Sequence, residues 1–561
     1  MKSKRDVLFL EREASRRVIS IITCYLPLKT RNADFPCSIS HFSILLTIKP
    51  PRFSQNKSGR NYKSFYLFLN FFNKSTVMVM KMDLGRWVLC FCLLALFLPT
   101  IVSGNAVFRV QHKFKGRGKS LDALRAHDTR RHGRILSAVD LPLGGNGHPS
   151  EAGLYFAKIG IGTPSKDYYV QVDTGSDILW VNCAGCDRCP TKSDLGVDLT
   201  LYDMKASTTS DAVGCDDNFC SLYDGPLPGC KPGLQCLYSV LYGDGSSTTG
   251  YFVQDFVQYN RISGNFQTTP TNGTVVFGCG NKQSGELGSS SEALDGILGF
   301  GQANSSMLSQ LASSGKVKKV FSHCLDNVDG GGIFAIGEVV EPKVNITPLV
   351  QNQAHYNVVM KEIEVGGDPL DVPSDAFESG DRKGTIIDSG TTLAYFPQEV
   401  YVPLIEKILS QQPDLRLHTV EQAFTCFDYT GNVDDGFPTV TLHFDKSISL
   451  TVYPHEYLFQ VKEFEWCIGW QNSGAQTKDG KDLTLLGDLV LSNKLVVYDL
   501  EKQGIGWVEY NCSSSIKVKD ERSGSVFRVG AHDLSSSYSL TSGSILISLL
   551  LPIAMLHSFI Y

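Results

Sequence analysis

Two short stretches of this chain match each other, and together they restrict what it can fold into more than any other feature. Val172-Asp173-Thr174-Gly175-Ser176 and Ile387-Asp388-Ser389-Gly390-Thr391 each set an aspartate in a Ser/Thr-Gly turn behind β-type apolar residues, Tyr-Tyr-Val-Gln-Val before the first and Thr-Ile-Ile before the second. A strand that ends this way delivers its carboxylate, and the glycine lets the turn close so that its N–H lies near the aspartate oxygens. The hydroxyls of Ser176 and Thr391, three residues beyond each aspartate, are placed to donate to the outer oxygen. One such tetrapeptide is an ordinary turn. Two copies 215 residues apart call for two related half-domains that each contribute one carboxylate to a shared site. Neighbouring carboxylates cannot both ionise easily, so they hold one proton between them, and one is base while the other is acid. That pair can activate a water against a peptide carbonyl and protonate the leaving amine.

The 52 glycines, the 53 tyrosines and phenylalanines and the closely spaced turn residues favour a β-rich chain. The net charge of −5 hides an asymmetry, with +17 over residues 1–149 and −22 over the rest. An acidic body suits an enzyme of low pH, where protonation relieves self-repulsion; it equally confers solubility. Met82 to Arg86, the apolar run from Trp87 to Val102 and the small residues Ser103-Gly104-Asn105-Ala106 read as a secretory signal over 82–104. Residues 1–81 precede it without clear periodicity, so translation is expected to start at Met78, Met80 or Met82, with 1–77 an upstream extension. A type II membrane anchor is the rival, but the apolar run is short for a span. Residues 105–150 read as a prosegment. Its Lys113, Lys115, Arg117, Lys119, Arg125, Arg130, Arg131 and Arg134 form a basic strip that can cover an acidic cleft until acid releases it; a solvated linker has the same composition. The mature start is expected between Leu136 and Gly153.

Twelve cysteines follow the signal, and seven of them, Cys183, Cys186, Cys189, Cys215, Cys220, Cys230 and Cys236, crowd into one segment. Cys-x-x-Cys-x-x-Cys is a spacing metal sites use. The secretory signal and the even count favour disulfides instead, with a connectivity that spacing does not fix. Val240-Leu-Tyr242-Gly243-Asp-Gly-Ser246-Ser-Thr-Thr-Gly250 reads as a hairpin. Asp295-Gly-Ile-Leu-Gly-Phe-Gly301 and Leu485-Leu-Gly487-Asp488 repeat an apolar-apolar-Gly element, one in each half. Pro397 to Gln411 reads as a helix with Val400, Leu404, Ile405 and Ile408 on one stripe.

These residues resemble the pepsin-type aspartic endopeptidases over roughly residues 150–512, in the cysteine-rich plant form similar to nepenthesin. The resemblance implies an all-β, bilobal fold with pseudo-two-fold lobes, an N-terminal lobe over 151–343, a C-terminal lobe over 344–512 and an extended polypeptide substrate in the cleft between them. It makes Asp173 and Asp388 the catalytic pair, supported by Thr174, Gly175, Ser176, Ser389, Gly390 and Thr391. Tyr242 and Gly243 belong to a flap over the substrate, and Trp180 packs beside the flap and hydrogen-bonds its tyrosine. The disulfides it implies are Cys183–Cys186, Cys189–Cys279, Cys215–Cys236, Cys220–Cys230, Cys324–Cys512 and Cys426–Cys467. No metal, organic cofactor or nucleic acid is implied, and the enzyme is expected to be a monomer. The 97 residues from Asp388 to Leu485 are too few for the saposin-like insert of vacuolar plant relatives. The rival reading is a catalytically silent pepsin-fold protein that binds or inhibits other proteins at the cell surface. Such proteins have usually lost a catalytic-motif residue, whereas both motifs and Tyr242 are intact here.

Asn272, Asn304, Asn345 and Asn511 stand in Asn-x-Ser/Thr sequons and are candidate glycan sites. Beyond Cys512 the chain turns polar and Ser-rich, a stalk over 513–535. Ser535-Ser536-Ser537, a short spacer and the mostly apolar run from Ile545 to Tyr561 give the pattern of a GPI-attachment signal. Attachment is expected at Ser535 or Ser536, with Gly530 or Ser525 the alternatives for a longer spacer, and 536–561 would be removed. A transmembrane helix would call for a basic stop that the tail lacks. The tail makes the chain resemble the GPI-anchored plant members, and the outer face of the plasma membrane or the wall beyond it is the expected location.

Overall fold

Along Lys166–Asp173 exposed and buried residues alternate until Val172 and Asp173 are both enclosed, the mark of a strand running into a covered site. In the computed structural model, backbone strands lie within residues 3–83 and the described body spans residues 136–534, apart from 226–228, 289–290, 381–382, 422–423 and 474–481. The apolar run at 87–102, the prosegment up to residue 135, Ser535, Ser536 and the tail lie outside the described residues. The chain divides at Gly118. In the first unit Ser3–Glu13, Arg16–Leu26, Phe42–Ile48, Ser64–Leu69 and Met78–Asp83 form an antiparallel sheet.

In the second unit the two aspartate stretches sit in duplicated frames. Lys166–Asp173 runs parallel to Gly296–Gly299, which is antiparallel to Leu179–Asp187, which is in turn parallel to Gln267–Ser284. Lys383–Ile387 runs parallel to Asp482–Leu486, which is antiparallel to Ala394–Phe396, which is parallel to Trp470–Asn472. Each chain half therefore leaves its strand, turns at Asp-Thr/Ser-Gly and returns along the far side of its apolar-apolar-Gly segment. That segment is buried throughout in the first half, which is why it reads as a continuous apolar run. Its glycine is required by crowding. A Cβ on Gly299 would stand 2.5 Å from the Asp177 carbonyl carbon, and one on Gly487 would collide with the Thr391 and Leu393 carbonyls.

A sheet shared by both halves joins the lobes. Its order is Thr347–Pro348, Gly504–Glu509, Lys494–Asp499, Val320–Leu325, Gly332–Ile336 and Val139–Asp140, antiparallel throughout. One face carries an aromatic layer in which Phe321 stacks on Tyr498 at 4.4 Å and Phe300 meets Phe334 at 4.9 Å. The other face is covered by a hairpin, Ser515–Asp520 with Ser525–Gly530. Alternation along its first strand turns Ile516 and Val518 inward, where they share a core cluster with Ala138, Val320, Ile333 and Leu495.

Three expectations change here. Residues 513–534 are a folded clasp rather than a polar stalk. The period-two pattern of Ile516 and Val518 is masked by the lysines and serines around it. Leu534 N–H donates to the Leu143 carbonyl at 2.9 Å, and His532 pairs with the Asp140 carboxylate at 2.9 Å. Residues 137–150, counted above with the prosegment, belong to the folded body, with Val139, Leu141 and Leu143 buried. Disulfide pairing also differs. Cys183 joins Cys279, Cys186 joins Cys189, Cys215 joins Cys230 and Cys220 joins Cys236, in place of Cys183–Cys186, Cys189–Cys279, Cys215–Cys236 and Cys220–Cys230. The register explains the first two. Val181 stands opposite Cys279 in a parallel pair, so Cys183, two residues on, reaches it with a Cα separation of 5.5 Å. Cys186 lies in the irregular stretch of that pairing between Asn182 and Asp187 and closes on Cys189 just beyond it. Cys220, on the helix Asn218–Asp224, packs in one core cluster with Cys236. Cys324–Cys512 and Cys426–Cys467 are the two pairs shared with the resemblance. The helix spans Gln398–Leu409 and buries Val400, Leu404, Ile405 and Ile408.

Because the clasp supplies part of the core, Ile516→Ala is expected to cost about 2–4 kcal/mol of stability, read as a lowered midpoint in thermal or denaturant unfolding with the disulfides intact.

Candidate active site

The two turns are built alike. Gly175 N–H donates to Asp173 Oδ1 at 2.8 Å, and the Ser176 hydroxyl donates to Oδ2. Gly390 N–H donates to Asp388 Oδ1 at 2.8 Å, and the Thr391 hydroxyl donates to Oδ2 at 2.8 Å. The next residues tie the turns to each other, for Ser389 N–H donates to the Thr174 hydroxyl oxygen at 2.9 Å. Each glycine faces the opposite carboxylate. A Cβ on Gly175 would lie 2.6 Å from Asp388 Oδ2, and one on Gly390 would collide with Asp173 Oδ1. The two aspartates therefore approach one another as closely as they do because neither turn carries a side chain between them. Gln171 adds a further tie across the lobes, its side-chain amide donating to the Gly390 carbonyl at 3.4 Å.

Both aspartates are nearly enclosed. Burial first, and then the charge of Asp388, push the Asp173 carboxyl up to about 7. The pair thus keeps a proton where isolated carboxyls would have lost both. A third carboxyl, which the motif reading passed over, lies in the same field. Asp488 follows the glycine of the second apolar-apolar-Gly element and is buried, and its Oδ1 has no hydrogen-bond partner. Burial, then Asp388, then Asp173 hold it well above the usual carboxylate range. Its signal in the sequence is an asymmetry, since Phe300 occupies the matching place in the first half.

Tyr242 closes the site from above. It leads the turn Tyr242–Ser246, in which Gly245 adopts a φ of 87° and Gly243 is exposed. The Trp180 indole N–H donates to the Tyr242 hydroxyl at 2.7 Å, so the flap residue and the buried tryptophan meet. Burial and then the charge of Asp173 raise the pKa of Tyr242 well above its ordinary value. Beneath the pair, the Tyr356 hydroxyl donates to the Phe300 carbonyl at 2.6 Å, while Phe300 N–H donates to the Asp173 carbonyl at 2.7 Å. Neither the sequence periodicity nor any motif singles out Tyr356. Asn272, Asn304, Asn345 and Asn511 all lie exposed, far apart in the chain and outside this cluster.

A strand-borne pair of turns, mutually buttressed carboxyls and a tyrosine flap between two duplicated lobes define a bilobal aspartic endopeptidase. The comparisons agree. Family models described as xylanase inhibitor N-terminal and xylanase inhibitor C-terminal match residues 155–338 and 355–509. The chain is 53% identical over 484 residues to aspartic proteinase 36 of Arabidopsis thaliana, covering 86% of this chain and 100% of that one. It is 51% identical over 475 residues to aspartic proteinase 39 of the same plant, covering 85% and 99%. Nepenthesin-2 of Nepenthes gracilis is 27% identical over 381 residues, covering 65% and 79%. The solved basic 7S globulin from soybean shares the fold, with a TM-score of 0.52 and 21% identity over 66% of this chain and 96% of that one. The chain belongs to the pepsin-like plant aspartic proteinases, and its substrates are polypeptides.

Two outcomes follow from the geometry. Gly390→Ala should lower kcat by about a hundredfold or more by forcing the carboxyls apart, measured on a peptide substrate. The raised carboxyls also set the sign of a pH effect. The folded enzyme binds more protons than the unfolded chain between the ordinary aspartate value of 3.8 and about 7. Stability from this source is complete below about pH 4 and is lost as pH rises through about 7. The melting temperature should therefore fall from pH 4 to pH 8, and less steeply in Asp173→Asn.

Proposed function

We propose that this peptidase works under acid conditions in or beyond the secretory pathway, made as a zymogen and held at the outer face of the plasma membrane by a GPI anchor. The observation that carries the acid setting is the Asp173 carboxyl pushed up to about 7 by burial and by Asp388. In the reaction, the carboxylate of the pair takes a proton from water as it attacks the peptide carbonyl. The protonated partner hydrogen-bonds the carbonyl oxygen and a proton passes to the leaving amine. The N–H and hydroxyl donors on the four carboxyl oxygens keep the carboxyls oriented through both steps. Tyr242 shields the site from bulk water.

Six disulfides support an oxidising compartment. Four exposed sequons support a glycoprotein, and the apolar tail after Ser544 supports the anchor. The basic stretch before residue 135 fits a prosegment that acid releases. The enzyme acts on polypeptides as a monomer and has no role with nucleic acid. A silent binding protein would need a broken site, and every donor of the two turns is in place.

The protein purified after secretion should cleave a denatured protein mixture at pH 3–6, and a pepstatin-type inhibitor should stop it. Asp388→Asn should abolish cleavage and leave the circular dichroism spectrum unchanged. Inhibitor-insensitive cleavage that survives in this variant would refute the mechanism.

A further inference from the structure

The strand that leads into the flap, Leu237–Leu241, is paired along one side. Its register with Ser247–Gly264 sets Leu237 opposite Tyr251, Ser239 opposite Thr249 and Leu241 opposite Ser247. Phe252 N–H donates to the Cys236 carbonyl and Tyr242 N–H to the Ser246 carbonyl, both at 2.9 Å. In an antiparallel ladder, hydrogen-bonded pairs alternate with pairs that are not. Tyr238 and Val240, in step with those two bonds, turn their backbone groups toward the hairpin partner. Leu237, Ser239 and Leu241 turn their N–H and C=O to the other edge, and among the described residues no strand pairs with them there. The same three side chains share one face of the strand and are exposed, Leu237 at 64% and Leu241 at 76%. Tyr238, on the opposite face, is buried in a cluster with Trp180 and Phe252.

Edge strands in natural sheets are blunted by lysine, proline or a bulge. This one, Leu-Tyr-Ser-Val-Leu, carries no charge and no proline, and its register runs without a break. An open ladder edge flanked by alternate apolar side chains is a surface to which an extended polypeptide adds as a further strand. The edge is continuous with the catalytic site, since Leu241 is followed directly by Tyr242, and the chain that the peptidase cleaves is itself a polypeptide. We propose that Leu237–Leu241 is an exosite for the substrate. A stretch of substrate beyond the part under the flap pairs with the free backbone groups of Leu237, Ser239 and Leu241. Its alternate side chains lie beside the two leucines, so apolar residues at alternate positions are favoured. From Tyr242 to Leu237 is about 17 Å along the strand, so only a substrate that runs several residues past the flap reaches it. The proposal rests on the aspartic-peptidase reading.

The test uses the enzyme purified after secretion and peptides that share one cleavable core of about eight residues, too short to reach the edge. The core alone is compared with the core extended, on either side, by about ten residues with valine at alternate positions, and with the same extension carrying lysine there. Kinetics are measured for the parent, for Ser239→Pro and for the double variant L237K/L241K. Ser239→Pro removes an outward N–H and spares the hairpin ladder. The parent should cleave the valine-extended peptide with kcat/KM about tenfold above the core alone, through a lower KM. The lysine extension should bring no gain. Both variants should lose the advantage yet cleave the core within about twofold of the parent. A parent without preference for the valine extension overturns the proposal, and so does a preference that either variant keeps, or an equal loss on core and extended peptide. A dimer of the parent that Ser239→Pro takes apart assigns the edge to a second copy and overturns it as well. Should Ser239→Pro fail to fold, L237K/L241K decides alone. A parent that leaves the core uncleaved refutes the peptidase reading itself, a failure visible without any extension or variant.

Discussion

The hydrogen bond from Ser389 N–H to the Thr174 hydroxyl is the contact on which the site depends. It joins residues 215 positions apart in sequence, and it does so at the seam between the two halves. The donors that seat each carboxyl, by contrast, come from its own turn. Gly175 and Ser176 serve Asp173, while Gly390 and Thr391 serve Asp388. Without the cross-link each half would present a well-formed carboxyl to nothing. With it, and with glycine facing each opposite carboxylate, the two carboxyls are pressed into one environment. Their mutual repulsion then becomes a retained proton.

That pressing together explains why the interior beneath the site is so aromatic. Forcing carboxyls close in a desolvated place is unfavourable, and the surrounding core must supply the compensation. Phe300, Phe321, Phe334, Tyr356 and Tyr498 form a contiguous layer there. One of its members, Tyr356, donates a hydrogen bond to the Phe300 carbonyl, whose own N–H holds the Asp173 carbonyl. The layer therefore serves as a hydrophobic floor that also carries a fixed polar handle in the Tyr356 hydroxyl.

Much of this was legible in the sequence because it is written locally. Asp173 and Asp388 announce themselves through adjacent residues, Tyr242 through its hairpin glycines, and the helix at Gln398–Leu409 through the stripe of Val400, Leu404, Ile405 and Ile408. The features that escaped depend on which distant residues become neighbours. Cys183 pairs with Cys279 because a parallel register brings them together, and no spacing in the cysteine cluster encodes that register. The clasp escaped because its inward residues, Ile516 and Val518, are two among many polar ones. Asp488 escaped because a lone aspartate after a glycine carries no mark of the field in which it is buried.

The clasp also governs how the molecule bears a load. A pull on the tail enters the body at Leu534 and is taken first by its bond to Leu143 and by the two backbone bonds between His532 and Gly332. If those part, the segment 513–534 can peel away, but Cys512 is joined covalently to Cys324, and unravelling stops there. The surface laid bare is the outer side of the joining sheet, remote in the fold from the cleft face. The body thus has a strain relief on its C-terminal side, a short sacrificial strip backed by a covalent stop, which keeps such a pull from reaching the paired carboxyls.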